Sequence, residues 1–317
     1  MKISIIIPNY NGGHLLAVNL PKLVSAVNAY KDADFEIIIS DDVSTDNSED
    51  VITRFKKNNE ENDIAIKTNF NRNIKDSGFS KNVNRGVAIS TGDIILLLNS
   101  DVIPEKDFLL SLIPHFQKVK VFAVACMEES IEDKEKDLRG RGIGKWEKGF
   151  LVHSGGDVNG DKTLWASGGS SAFRKSIWQE LGGLDILYNP FYWEDIDLSY
   201  RAWKSGYEVD FEKDSIVKHE HDKGAIRNSY SKQEITSIAY RNQFIFVWKN
   251  ITDKKLLFSH IYWLPYHFAM AIKSKNTALL SGFFNAFVLL PKIIQSRLKT
   301  KQKFILSDKK LLDQFHV

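Results

Sequence analysis

Met1-Lys2-Ile3-Ser4-Ile5-Ile6-Ile7-Pro8 is an apolar, β-branched run stopped by a proline, and Phe35-Glu36-Ile37-Ile38-Ile39 repeats the pattern downstream. Such runs read as strands covered on both faces. Between them Leu15, Leu16, Leu20, Leu23, Val24 and Val27 recur at helical spacing, and Pro21 is expected to break or restart that helix. Strand, helix, strand is the parallel crossover unit. The order repeats: Val51 to Lys57 reads as helix, Ile64 to Lys67 as a short strand, Ser80 to Ser90 as helix and Asp93 to Leu98 as a buried strand. These alternations predict an α/β fold, an open twisted sheet that binds its ligands at the carboxyl ends of the strands.

The chain has 317 residues, of which 43% are hydrophobic and 26% charged, a balance that excludes disorder and a polytopic membrane protein. The apolar N-terminal run is too short for a signal peptide, so a cytoplasmic protein is expected. Cys126 follows the apolar run Val121 to Ala125 and reads as a core thiol of a reducing compartment. The net charge of +3 hides an asymmetry: residues 251–317 carry 11 Lys and Arg against 3 Asp and no Glu. Two units are therefore expected, an α/β domain over 1–250 and a basic helical appendage over 251–317. The polar, glycine-containing stretch from Glu128 to Gly149 reads as a solvated mobile loop, with a lid over the site as the alternative.

Three acidic clusters end or follow apolar segments. Asp41-Asp42 closes the second strand, too far ahead of the next helix to act as its cap, and two repelling carboxylates there suit an acceptor for a nucleobase N–H or ribose hydroxyls. Asn99-Ser100-Asp101 closes the strand ending at Leu98, where a hard divalent cation finds an oxygen ligand, although an Asx turn before Pro104 accounts for the same residues. Tyr192-Trp193-Glu194-Asp195-Ile196-Asp197-Leu198 sets adjacent carboxylates in a half-apolar setting, which favours a proton-accepting base, although an acidic first turn also suits a helix dipole. His219 offers an imidazole ligand.

Taken together, these segments resemble the inverting nucleotide-sugar glycosyltransferases of family 2, which have the GT-A fold, a Rossmann-like, mixed but mostly parallel sheet flanked by helices. The resemblance rests on Ser4-Ile5-Ile6-Ile7-Pro8-Asn9-Tyr10-Asn11, Ser40-Asp41-Asp42-Val43-Ser44-Thr45-Asp46, Gly78-Phe79-Ser80-Lys81-Asn82, Asn99-Ser100-Asp101, Gly168-Gly169-Ser170-Ser171-Ala172-Phe173-Arg174, Gly182-Gly183-Leu184-Asp185, Trp193-Glu194-Asp195 and His219. It implies that Asp42, with Asp41 beside it and Pro8, Tyr10 and Asn11 around it, holds the donor nucleoside. Asp101 and His219 would hold Mg²⁺ or Mn²⁺ on the diphosphate, and Asp195, next to Glu194, would be the catalytic base. Trp165, Gly168, Gly169 and Trp193 would sit where donor sugar and acceptor meet. The family's Asp-x-Asp begins here with Asn99, a neutral donor expected to make only a ribose or water-mediated contact.

The implied activity is metal-dependent inverting transfer of a sugar from a nucleoside diphosphate, dTDP-rhamnose or a UDP-sugar, to a glycan or lipid-linked glycan of the cell envelope. The layout through Arg241-Asn242 looks most like rhamnosyltransferases. A sugar nucleotidyltransferase would need a basic phosphate loop, which Pro8-Asn9-Tyr10-Asn11-Gly12-Gly13 does not have, and an inactive sugar-binding subunit would not need Asp101, Glu194, Asp195 and His219 together. In the tail, Leu256 to Ile272 and Asn276 to Pro291 are uncharged but short of the ~20 apolar residues that span a bilayer. They read as helices lying on an anionic membrane surface at the inner face of the cell membrane, or as packing and homo-oligomer contacts. The dispersed basic residues do not form the stripe that nucleic acid needs.

Overall fold

The structure is a computed structural model that describes residues 1–60, 63–132, 135–219 and 229–315. Its first half follows β1 (Lys2–Asn9), α1 (Gly13–Ala29), β2 (Asp34–Asp42), α2 (Ser48–Asn58), β3 (Ala65–Asn71), α3 (Phe79–Ala88) and β4 (Ile94–Leu98). β2 and β4 flank β1 in parallel, with Ile5 opposite Ile37 on one side and Leu96 on the other. Ile6, Ile38, Ile95 and Leu97 pack into one core layer, while Ile5, Ile7, Ile37, Ile39 and Leu96 pack into the other, with Leu16, Leu20 and Leu23 of α1. Burial on both faces is why these strands have no polar alternation.

α1 runs through Pro21 without a break. Ala17 and Pro21 both lie on the exposed side, so the carbonyl that loses its N–H partner faces water and the helix continues.

The second half contains β5 (Val102–Pro104), α4 (Phe108–Leu112), β6 (Val121–Glu132), β7 (Glu135–Arg139), β8 (Gly142–Glu147), β9 (Phe150–Gly155), β10 (Ser170–Arg174), α5 (Lys175–Leu181), α6 (Glu194–Lys204) and β11 (Glu208–His219). Among the described residues the main sheet runs β3-β2-β1-β4-β10-β6-β11-β5, with β7 paired to β6. β10 is antiparallel to β4 and β6, and β5 is antiparallel to β11, which sets His219 opposite Val102. The stretch from Glu128 to Gly149 is therefore not a loop, although Asp133 and Lys134 within it lie outside the described residues. β6 continues into a hairpin with β7, and β8 and β9 form a second hairpin that turns at Lys148-Gly149. Gly142 and Gly144 leave room for Trp165 and Leu164 against that second hairpin, so glycine here marks close packing rather than a turn.

The chain ends in α7 (Lys232–Asn250), α8 (Lys254–Lys273), α9 (Thr277–Val288), α10 (Leu290–Thr300) and α11 (Asp308–Leu312). α7 opens with a reciprocal cap between Ser231 and Glu234 and packs on α9 and α10. Asp308 accepts from Lys204 of α6 at 2.6 Å, from the Tyr200 hydroxyl at 2.8 Å and from the Thr252 and Asp253 N–H groups at 2.7 Å, which seats the end of the chain on the α/β unit. Among the described residues no single helix is long and apolar enough to cross a membrane.

Candidate active site

A cleft of about 210 Å³ opens at the carboxyl ends of β1, β2 and β4. Pro8, Tyr10, Asp42, Asn99 and Asp101 line it, so two of the three acidic clusters meet on one wall. Phe191 and Tyr230, with ring centroids 4.9 Å apart, stand among the lining residues and offer a face on which a planar base can stack.

Asp42 is buried and accepts from the Gly78 N–H at 2.7 Å, from Asn71 at 2.9 Å and from Arg85 at 2.7 Å, which holds a carboxylate rigidly at the cleft. Asp41 and Asn11 do not line the cleft. The Asp41 carboxylate accepts from Asn9 at 2.7 Å and from the Ser44 hydroxyl at 2.6 Å, and Asn11 Oδ1 accepts from the Thr45 N–H at 2.7 Å. Both side chains are needed to close the loop between β2 and α2, so their place is behind the cleft wall. Asn99 holds the cleft floor through its backbone, its N–H donating to the Gly169 carbonyl at 2.9 Å.

Asp101 follows β4 and His219 ends β11, and the antiparallel pairing of β11 with β5 brings His219 Nε2 to 3.4 Å from Asp101 Oδ2. His219 Nδ1 lies 3.5 Å from Glu128 Oε2, and Glu128 also accepts from the Ser170 hydroxyl. Burial disfavours the His219 cation, but Asp101 and Glu128 outweigh it and push its pKa up to about 10. Glu128 is absent from the sequence-based assignment. Its signal was the one that singled out Asp101, a carboxylate at the end of an apolar strand run, here Val121 to Met127.

The site's fit to a divalent cation is tested by Asp101 Oδ1, which is buried and has no hydrogen-bond partner among the described residues. No group of three His, Cys, Asp or Glu side chains among those residues is placed to hold a metal unaided. A corner where Asp101 meets His219 fits an ion that completes its shell with phosphate oxygens and water, once His219 gives up its proton and becomes a neutral imidazole.

Asp195 lies in the first turn of α6, where its Oδ2 accepts from the Gly168 N–H at 3.3 Å and its Oδ1 from the Ile196 N–H at 2.8 Å. Gly168-Gly169 thus joins the Asp195 carboxylate to Asn99 on the cleft floor. A side chain at Gly169 would meet Asn99 Nδ2 at 2.7 Å and push that side chain aside. Burial raises the Asp195 pKa, those N–H groups lower it, and the nearby charge of Glu128 raises it further, with a net upward shift. Glu194 is buried with Oε2 unpartnered among the described residues, and burial and the adjacent Asp195 raise it well above the carboxylate range.

Trp193 caps α6 with a left-handed backbone at φ 75°, next to Tyr192 at φ 71°. The His153 ring lies 5.0 Å from Trp193 and 5.3 Å from Trp165, centroid to centroid, making an aromatic wall from β9 to α6. His153, like Glu128, was not singled out from sequence.

The family model described as "Glycosyl transferase family 2" matches residues 4–182, and that of "Glycosyl transferase family group 2" matches 94–288. The O-antigen chain rhamnosyltransferase RfbN of Salmonella typhimurium is 26% identical over 70% of this chain and 67% of its own length. The GalNAc(5)-diNAcBac-PP-undecaprenol beta-1,3-glucosyltransferase of Campylobacter jejuni is 31% identical over 45% of this chain and 44% of its own length. The uncharacterized glycosyltransferase alr2836 of a Nostoc strain matches over 40% of its length, so the chain spans well under the full length of several curated relatives. The crystal structure of GalNAc-T7 with UDP, GalNAc and Mn²⁺ superposes with a TM-score of 0.62 at 16% identity, covering 80% of this chain and 48% of that one. That likeness shows the fold, which is GT-A.

Proposed function

Because the chain belongs to glycosyl transferase family 2, and so is a glycosyltransferase, we propose that it moves a sugar, with inversion, from a nucleoside diphosphate to a hydroxyl of a glycan or lipid-linked glycan in envelope polysaccharide assembly. The carrying observation is the continuous link from the Asp195 carboxylate through Gly168-Gly169 to Asn99 on the floor of the cleft. It supports a base beside the sugar and a nucleoside site beyond it.

In this reading Asp42 accepts from the donor nucleoside while Tyr10, Phe191 and Tyr230 flank its base. Asp101 and His219 would hold a divalent cation, which when bound neutralises the charge growing on the diphosphate leaving group. Asp195 takes the proton from the acceptor hydroxyl at a carboxylate oxygen as that hydroxyl attacks the anomeric carbon from the face opposite the diphosphate. Its desolvated setting makes it a stronger base than an exposed aspartate. Trp165, Trp193 and His153 would shape the acceptor side. The rhamnosyltransferase relative supports dTDP-rhamnose as the donor to test first, with UDP-sugars next, and the undecaprenol-linked substrate named for the second relative supports a lipid-linked acceptor and work at a membrane surface.

The test is a donor panel with Mn²⁺ or Mg²⁺, read as slow acceptor-independent hydrolysis and as thermal protection. Asp195→Asn should keep donor binding and lower transfer by about 10²–10⁴. Normal transfer by that variant ends the assignment of the base.

A further inference from the structure

We propose that the outward face of α8 and α9 is a docking surface for an anionic lipid bilayer. The two helices are apolar on both sides, with Leu256, Leu257, Leu264, Leu279 and Ala286 packed inward and a second apolar row left in solvent. On α8, Phe258, Tyr262 and Ile272 are 77%, 71% and 69% exposed, with Ile261, Tyr266 and Met270 also exposed. The two histidines of the same helix point inward: His260 is buried, accepting from the Trp248 ring N–H at 3.0 Å and meeting the Gly149 carbonyl at 2.8 Å, and His267 meets the Lys148 carbonyl at 2.7 Å. α9 continues the pattern, with Phe284, Phe287 and Val288 at 63%, 56% and 77% exposure. Of the 23 large hydrophobic residues exposed over the described chain, 12 fall between Phe258 and Ile305. Scattered exposed apolar residues need no explanation, but a contiguous concentration marks an interaction surface.

Charge selects the occupant. From Lys254 to Ser307 the sequence holds nine Lys and Arg and no Asp or Glu, and Lys254, Lys255, Lys273, Lys275 and Lys292 bracket the apolar stretches. A second copy of this chain docked face to face would set lysines against lysines with no acidic complement in either segment. An anionic headgroup layer supplies the missing charge, while the aromatic side chains enter the headgroup and acyl boundary. Neither helix alone is long and apolar enough to span, and α9 with the helix after it, which together have the length and composition, bend by 67° between them, which suits helices lying in the interface.

The full chain is sedimented with phosphatidylcholine vesicles and with vesicles containing about 30% phosphatidylglycerol. The expected result is binding to the anionic vesicles that is on the order of tenfold stronger than to the neutral ones and weakens at about 0.5 M NaCl. Tyr262→Ser with Phe284→Ser, and separately Lys273→Glu with Lys275→Glu, should each lower binding by about tenfold or more. The lysine pair is fully solvated, so that variant keeps the fold if the aromatic one does not. Equal binding to both vesicles, unchanged binding by the lysine variant, or a dimer in solution that excludes vesicles would overturn the proposal. UDP binding with Mn²⁺ is measured on the same samples and should be unchanged; its absence in the parent chain would count against the catalytic reading alone.

Discussion

Lys249 of α7 donates to both carboxylate oxygens of Asp197 in α6, at 2.7 and 2.9 Å, with neither side chain exposed to solvent. Asp197 is two residues beyond Asp195, and the same ammonium pairs with Asp185 at 2.6 Å. Arg201 completes the group, donating to Asp197 at 2.8 Å and to the Leu181 and Gly183 carbonyls at 2.7 Å. The helix that carries the proposed base is thus held by Lys249, a charge from the segment that follows it in the chain, and by its own Arg201.

Lys249→Met should accordingly destabilise the protein by about 3–5 kcal/mol, because it leaves buried carboxylates short of one countercharge. Urea unfolding followed by tryptophan fluorescence measures this. A loss below about 1 kcal/mol would mean that the ion group contributes little beyond what apolar packing restores.

Acid sensitivity should come in part from Glu36. Burial alone would raise its carboxyl, but Lys67, Ser4 and Thr91 outweigh that and bring it down to about 2. A depressed carboxyl stabilises the fold above its ordinary pKa near 4.5 and loses that contribution as the pH falls toward about 2. The thermal midpoint of the parent should therefore exceed that of Glu36→Gln at pH 5 and above, and the gap should close on acidification. A gap that stays constant between pH 5 and pH 2 contradicts the assignment.

The cation corner predicts a binding effect separable from catalysis. Asp101→Asn and His219→Ala should each weaken Mn²⁺-dependent UDP binding by about 10–100-fold and leave metal-free UDP binding unchanged, as read by calorimetry with and without the metal. Equal losses with and without Mn²⁺ would show that these side chains touch the nucleotide directly.

Much of this architecture was legible in the chain because the first strands are buried on both faces. Ile3 to Ile7, Ile37 to Ile39 and Ile94 to Leu98 read as strands for that reason, and their ends placed Asp42 and Asp101 on one rim. Pro21 misled because its effect depends on which side of the helix meets water, a property of the tertiary packing. The stretch from Glu128 to Gly149 misled because a hairpin strand with glycines at tight packing points has the composition of a loop. Asp41 and Asp42 are identical in type and adjacent, and only the closed loop after β2 turns one into a structural acceptor and leaves the other on the cleft. His219 was a candidate ligand by residue type, and only the family resemblance set it beside Asp101, since nothing local to it shows that β11 pairs with β5.

Asn242 carries the most specific prediction about positioning. Its Nδ2 donates to the carbonyls of Tyr188, Phe191 and Tyr192 at 3.0, 2.9 and 2.8 Å, bracing the turn in which Tyr192 and Trp193 hold left-handed backbones. Such conformations cost about 1–3 kcal/mol each for non-glycine residues and persist only where the surroundings enforce them. Phe191 of this turn lines the cleft, and Asp195 lies just beyond it in the first turn of α6. Asn242→Ala removes the brace, lets the turn relax and shifts Asp195 from its contact with Gly168. Because a displacement of about 1 Å in a reacting group can cost roughly 10²-fold, kcat should fall by one to two orders of magnitude, while the affinity for UDP falls by a smaller factor, since Phe191 moves with the turn but Asp42 stays held by Gly78, Asn71 and Arg85. If UDP affinity falls by as large a factor as kcat, or if both survive, Asn242 does not position the base.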